Sequence, residues 1–184
     1  MGSEMCIRDR ILSAIAGAHS IRGGSLEMDG RVFMPKTPKD AINAKIAYCS
    51  EDRKLDGLFL GRPILENLTS TSLKRVTNFG ILKPSAEFEL ANDIANGFTI
   101  DNSRLLSEAG VLSGGNQQKV ALGKWLAINP KVILVNEPTR GVDVGARAEI
   151  YQTLHKLAEQ GTAIVVASTD LQEIANLPTR IIEL

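Results

Sequence analysis

A serine followed by two glycines, Ser113-Gly114-Gly115 in the run LSGGNQQKV (112–120), is the first place in this sequence where chemistry is possible. Glycines let backbone N–H groups come close to a ligand. A helix start carries unpaired donors and partial positive charge, which favour an anion. Ser113 adds a hydroxyl, and a phosphate is the natural guest. An ordinary glycine turn with a serine cap uses the same residues, and for Ser-Gly-Gly taken alone it is the better reading. The second place is Val132-Ile133-Leu134-Val135-Asn136-Glu137-Pro138-Thr139, an apolar strand ending abruptly in a polar pair. In open α/β sheets ligands bind beyond the carboxyl ends of the strands. Glu137 is therefore placed to orient or deprotonate an attacking water, help that supplies ~10²–10⁴-fold in rate. A solvated carboxylate capping the next loop fits this segment equally well.

These residues need particular elements to hold them. Ala121, Leu122, Trp125 and Leu126 define a helix that starts after Ser113, and Val132–Val135 reads as a parallel strand covered on both faces. Ile150, Leu154, Leu157 and Ala158 mark a further helix, with Gly161 as its C-terminal stop. Thr162–Ala167 reads as another buried strand. Asp170 with Glu173 has the spacing of a capping box, and Arg180–Leu184 reads as one more strand. Upstream, Ile11, Leu12, Ile15 and Ala16 predict a helix ended by Gly17. Asp29-Gly30 predicts a hairpin, residues 39–44 a short helix, and Lys45–Ser50 a buried strand. Residues 52–112 carry helical spacing (Phe88, Ala91, Ala95, Phe98) and no strong strand signal, and read as a mainly helical insertion. Alternating strands and helices predict an α/β fold with a mostly parallel sheet.

Composition excludes more than it reveals. Apolar residues make up 43% of the 184, enough for a core without disulfides or metals. Twenty-one Lys+Arg balance 21 Asp+Glu, which argues against broad electrostatic binding to nucleic acid. No apolar run approaches a membrane span. Cys6 and Cys49 make no framework, and His19 and His155 offer no zinc spacing; together these point to a reducing, cytosolic setting. Met1–Arg10 (MGSEMCIRDR) has no apolar centre, so it is not a signal peptide, and it reads as a non-native or disordered leader.

Taken together, LSGGNQQKV and ILVNEPTRGVDVGA resemble the ABC (ATP-binding cassette) ATPases. With SEDRKLDGL (50–58) they look like the second nucleotide-binding half of sugar-importer subunits of the ribose, galactose and xylose type, and the likeness runs over 11–184. Nucleoside importers share much of this pattern. The resemblance implies a P-loop NTPase-like parallel sheet with an inserted helical subdomain, residues 52–112, facing transmembrane permease subunits. It implies ATP and Mg²⁺ as cofactors, a second ABC half as partner, a periplasmic sugar-binding protein as an indirect one, and a peripheral place on the cytoplasmic face of the inner membrane. No nucleic-acid partner is expected, because the heptads and basic linkers of DNA-repair and ribosome-binding cassettes are missing.

Residue by residue, Ser113, Gly114 and Gly115 match the signature that contacts the γ-phosphate of ATP held by the opposite half, with Gln117 in the same motif. Glu51 falls at the Q-loop position, near metal and water. Glu137 matches the catalytic glutamate and Asp143 the D-loop aspartate, although Asp143 also has the place of a helix N-cap. Three departures stand out. The Gly-rich phosphate loop that the resemblance calls for before Ile11 has no counterpart in Met1–Arg10, so weak binding of ATP by this chain is expected. Asn136 stands where the family has the Walker B aspartate, leaving a weak Mg²⁺ position shared with Glu51. Thr169 stands where many members place a switch histidine. A catalytically degenerate signature donor therefore stays open beside an active ATPase half.

Overall fold

The computed structural model describes residues 7–183. The elements run α1 (Ile7–Ile15), β1 (Glu27–Met28), β2 (Arg31–Val32), α2 (Pro38–Asn43), β3 (Ile46–Cys49), α3 (Ile64–Thr69), α4 (Leu73–Val76), β4 (Thr77–Asn78), β5 (Ile81–Leu82) and α5 (Pro84–Gly97). They continue with α6 (Gly114–Leu126), β6 (Val132–Asn136), α7 (Val144–Glu159), β7 (Ala163–Ala167) and α8 (Leu171–Asn176). Strands β3, β6 and β7 form a parallel sheet with β6 in the middle, pairing Tyr48 with Leu134 and Leu134 with Val165.

Strand β6 is apolar without interruption because both its faces are covered. Ile133 and Val135 join Ala47 and Cys49 of β3 in one core. Leu134 joins Ile46 in a second core, under Leu12 and Ala16 of the α1 region and Ala41 of α2. The period of two along each strand divides the residues between these layers. The first core continues without a break into the insertion: Ile64 and Leu68 of α3, Ala91, Ile94 and Ala95 of α5 and Val120 and Ala121 of α6 all belong to it. Residues 52–112 thus share their core with the sheet. Asn67, fully buried on α3, is held by four hydrogen bonds. Its Oδ1 accepts from the Phe59 N–H (2.8 Å), and its Nδ2 donates to the carbonyls of Phe59, Pro63 and Arg62.

Several expectations need correction. Helix α1 starts at Ile7, four residues before the predicted start, so residues 7–10 are helical and no disordered leader extends over them; Met1–Cys6 lie outside the described residues. The Arg8 guanidinium reaches the Ser168 carbonyl at 2.6 Å, which ties this first turn to the sheet end. The insertion holds a β-hairpin, β4–β5, that the helical reading missed. Strand β7 is a half-covered edge among the described residues, with Ala163 and Val165 exposed. Asp170 does cap α8, accepting from the Gln172 N–H at 2.8 Å, but Glu173 does not complete a box, because its carboxylate bonds Thr139 instead. Residues 180–183 form no strand, and Leu184 lies outside the described residues. The hairpin at Asp29-Gly30 and the helix after Ser113 form as expected.

Burial pushes the Cys49 thiol up from 9.0 to about 11. The protonated form is favoured when folded, so the associated stability is present below the ordinary value and is lost as pH rises toward about 11. In a Cys6→Ser variant at pH 8, Cys49 is expected to react with a thiol reagent at least ~100-fold more slowly in the native protein than in guanidinium. Equal rates would place Cys49 outside the core.

Candidate functional site

An open cleft of about 700 Å³ lies at the carboxyl end of β6, and Glu51, Glu137 and Thr169 all line it. Beyond Asn136 the ladder continues for one bond, from the Glu137 N–H to the Ala167 carbonyl at 2.8 Å. Glu137 then takes a left-handed backbone conformation (φ 48°), which breaks the strand and turns its side chain out of the layer. Such strain in a non-glycine residue recurs at functional sites. Its Oε1 accepts from the Thr169 N–H (2.7 Å) and the Thr169 hydroxyl (3.0 Å), and Arg8 lies 3.9 Å away. Thr169 thus acts as a clamp on the carboxylate.

Asn136 is buried beside Glu137, and its Nδ2 donates to Asp9 Oδ1 at 2.9 Å. Burial, then the Asp9 carboxylate, raises the pKa of nearby Tyr48. Glu51 is ion-paired with Arg140. Its carboxylate is therefore already engaged, and no group of three His, Cys, Asp or Glu residues suited to a metal ion exists among the described residues. The donor set does not fit a preformed cation site. The cleft lining carries five carboxylates (Asp9, Glu51, Glu137, Asp170, Glu173) against three guanidiniums (Arg8, Arg140, Arg147), a balance that opposes a polyanion.

Ser113, Gly114, Gly115 and Asp143 meet at a second place, beside this cleft. Ser113 caps α6 with a long bond from the Asn116 N–H to its Oγ (3.4 Å), and its side chain is exposed. Asp143 caps α7 in the same manner, accepting from the Ala146 N–H at 2.9 Å. The two helix starts are pressed together. A Cβ on Gly114 would lie 2.5 Å from the Gly141 carbonyl oxygen, and one on Gly115 would lie 2.4 Å from Ala146 Cβ. The glycines are thus demanded by packing, whatever else they do. Gln117 is not part of the mouth. It is buried, with its Nε2 directed to the carbonyls of Ala109 and Gly110 at 3.5 Å.

Residues to which the sequence assigned no part in this site hold the arrangement. Arg53 donates to the carbonyls of Arg140 (2.6 Å) and Gly141 (3.2 Å), and burial lowers its pKa. Arg147 pairs with Asp170 at 2.9 Å and donates to the Val142 carbonyl at 3.2 Å. Glu173, almost wholly buried, accepts from the Thr139 N–H at 2.9 Å and from its hydroxyl, anchoring the turn after Glu137. The one available signal was position: Arg53 and Arg140 sit inside two of the three motifs already singled out.

A sequence model of the family described as ABC transporter matches residues 10–140. The chain is 37% identical over 175 residues to the ribose import ATP-binding protein of Roseobacter denitrificans, covering 95% of this chain and 34% of that protein. It is 42% identical over 175 residues to the arabinose import ATP-binding protein of Rhizobium johnstonii, covering 95% and 35%. It is 39% identical over 176 residues to the xylose import ATP-binding protein of Geobacillus kaustophilus, covering 95% and 35%. The chain thus spans about a third of the length of these curated relatives. Among solved structures it resembles a nucleotide-free ATP-binding cassette from an ABC transporter (TM-score 0.73, 20% identity, 92% of this chain and 69% of that one). It also resembles a dimeric post-hydrolysis cassette bound to ADP and Pi (TM-score 0.70, 24% identity, 88% and 69%). At these identities the two structures show the fold alone.

Replacing Gly115 by Ala is expected to destabilise the protein by about 1–3 kcal/mol in urea denaturation, because the new methyl overlaps Ala146. Gly97→Ala, with nothing within 4 Å of the added carbon, is expected to be neutral or stabilising. Equal effects at the two sites would remove the packing constraint.

Proposed function

The chain belongs to the ABC transporter family, and from that footing we propose that it is the signature-bearing, ATP-engaging half of a sugar importer's nucleotide-binding subunit. One observation carries the reading. Ser113 is exposed at the start of α6, locked beside the Asp143-capped start of α7, where a second lobe can reach it. The sugar class rests on relatives named for ribose, arabinose and xylose import, in preference to a nucleoside importer.

In the assembled pair, the Ser113 hydroxyl and the free N–H groups of the first turn of α6 donate to the γ-phosphate of ATP held by the partner half. Asp143 stands beside that contact and carries the state of one site to the other. Glu137 orients the water that attacks in line, a reaction governed by positioning and electrostatics. Thr169 fixes the Glu137 carboxylate, and Glu173 fixes Thr139 two residues further on. Mg²⁺, if it entered with ATP, would supply charge neutralisation at the phosphates. Glu51 and Asn136 are the residues that the resemblance assigns to its hydration shell, but Glu51 is paired with Arg140 and Asn136 is buried, so the site holds the ion weakly. Gln117 supports the signature from inside the core and does not touch nucleotide.

The permease subunits dock on the 52–112 side, where Leu55 and Phe59 stand exposed just beyond Glu51. The periplasmic sugar-binding protein acts through them. Among the described residues no helix is long and apolar enough to cross a membrane, in keeping with a peripheral subunit on the cytoplasmic face. A second reading, a degenerate half that only donates its signature, is favoured by Asn136 and by the excess of carboxylates in the cleft.

By calorimetry, this 184-residue chain is expected to bind ATP no more tightly than millimolar, with or without Mg²⁺; micromolar binding would refute the weak-cleft reading. In the full-length subunit with its permease, Ser113→Arg is expected to block ATP-driven pairing of the halves, and normal pairing would overturn the signature role. In the same complex, Glu137→Gln is expected to lower ATP turnover at this half ~10²–10⁴-fold. Unchanged turnover would select the degenerate reading.

A further inference from the structure

Two hairpins in this chain share a turn, and they use it differently. Both place two consecutive residues at positive φ: Asp29 (53°) and Gly30 (72°) between β1 and β2, Phe79 (50°) and Gly80 (78°) between β4 and β5. The first central position favours Asn, Asp or Gly, whose backbones tolerate it. Asp29 fits that preference and is also ion-paired with Lys131. Phe79 does not. It is an aromatic residue in a strained conformation, 97% exposed, so the chain itself gains nothing from its ring. Strain of this kind points from an observed outlier toward a role outside the fold.

The surroundings say what kind of partner fits. Ile81 (73% exposed) and Leu82 follow the turn, and Leu73 precedes it on α4; all three are exposed. Between Glu66 and Glu87 the chain has no carboxylate, while Lys74, Arg75 and Lys83 are all exposed, in a protein whose formal net charge is zero. The base of the hairpin is firm. Val76 is buried, the Lys83 N–H donates to the Val76 carbonyl at 2.8 Å, and Arg75 donates to the Ala127 carbonyl at 2.6 Å. A tip of one aromatic and two aliphatic side chains on a held base, flanked in sequence by exposed cations, matches the boundary between anionic headgroups and acyl chains. A purely apolar protein groove would leave these cations without partners.

We propose that the β4–β5 hairpin is a membrane-surface anchor, with Phe79, Ile81 and Leu82 entering the headgroup–acyl boundary of an anionic bilayer and Lys74 and Lys83 pairing with its lipid phosphates. The hairpin uses none of the nucleotide-site residues. Its test is read on this chain without ATP, so failure here leaves the nucleotide proposal standing, and the reverse.

The experiment is co-sedimentation of the 184-residue chain with vesicles of phosphatidylcholine alone or with about one-third phosphatidylserine. The chain is expected to bind the anionic vesicles and not the neutral ones, and added salt is expected to release it. Phe79→Asn keeps the turn, suits its backbone better and is expected to melt at an equal or higher temperature, while losing roughly tenfold in lipid affinity. Lys74→Gln with Lys83→Gln is expected to lose roughly 25-fold on anionic vesicles, at about fivefold per cation. Circular dichroism of each variant confirms folding. No binding by the parent chain, equal binding to both vesicle types, or full binding by a folded Phe79→Asn variant would overturn the anchor. So would a Phe79→Asn variant that binds vesicles normally but no longer joins the permease subunits, since that assigns the hairpin to a protein partner.

Discussion

The contact between the start of α6 and the turn leading into α7 decides how the candidate site is put together. It is possible only because Gly114 and Gly115 have no side chains where the Gly141 carbonyl and the Ala146 methyl approach. Arg53 seals it from the far side by bonding the carbonyls of Arg140 and Gly141. Three segments distant in sequence are thereby held in one rigid junction: the loop after β3, the serine-capped helix and the turn after β6. Two helix starts face solvent together there, each capped by its own side chain. The donors at these two starts are held at a fixed spacing, so under the proposed signature role little ordering would remain to be done when a phosphate arrives.

The sheet contributes the other fixed point. Strand β6 is held by ladders on both sides and by apolar layers above and below. Glu137 leaves that end through a strained residue, and its carboxylate is gripped by Thr169 on the loop after β7. Thr139, two residues on, is gripped by Glu173 of α8. The carboxylate position is therefore set from two neighbouring loops as well as from its own strand. Catalysis by positioning requires this kind of support, because small displacements of a reacting group are expensive in rate.

Much of this was legible in the residues. The strand at 132–136, the helix after Ser113 and the hairpin at Asp29-Gly30 announce themselves by period, cap and turn chemistry, and all three form. Membership of the ABC family was legible from two motifs and is supported by the match over residues 10–140. The losses have physical causes. The β4–β5 hairpin has two-residue strands and a Phe-Gly turn, too short for a period and too unlike Asn-Gly for a turn signal. Strand β7 has the apolar run of a buried strand but lies at an edge, and neighbours are a matter of topology that no run of residues records. Glu173 has capping-box spacing, yet Thr139 lies within reach and takes the carboxylate. Gln117 sits in a motif associated with nucleotide and still faces inward, because its place on the turn of α6 points it at the core.

The edge position of β7 has a practical consequence. Along that border, among the described residues, backbone donors and acceptors stand without a neighbouring strand, and Val165 is exposed there. Borders of this kind template strand addition, and natural folds usually blunt them with charge, proline or a covering helix. The five residues of β7, Ala163 to Ala167, contain no charge and no proline. A concentrated solution of this polypeptide should therefore gel or precipitate through sheet extension, and a lysine introduced at Val165 is the natural way to keep it dispersed.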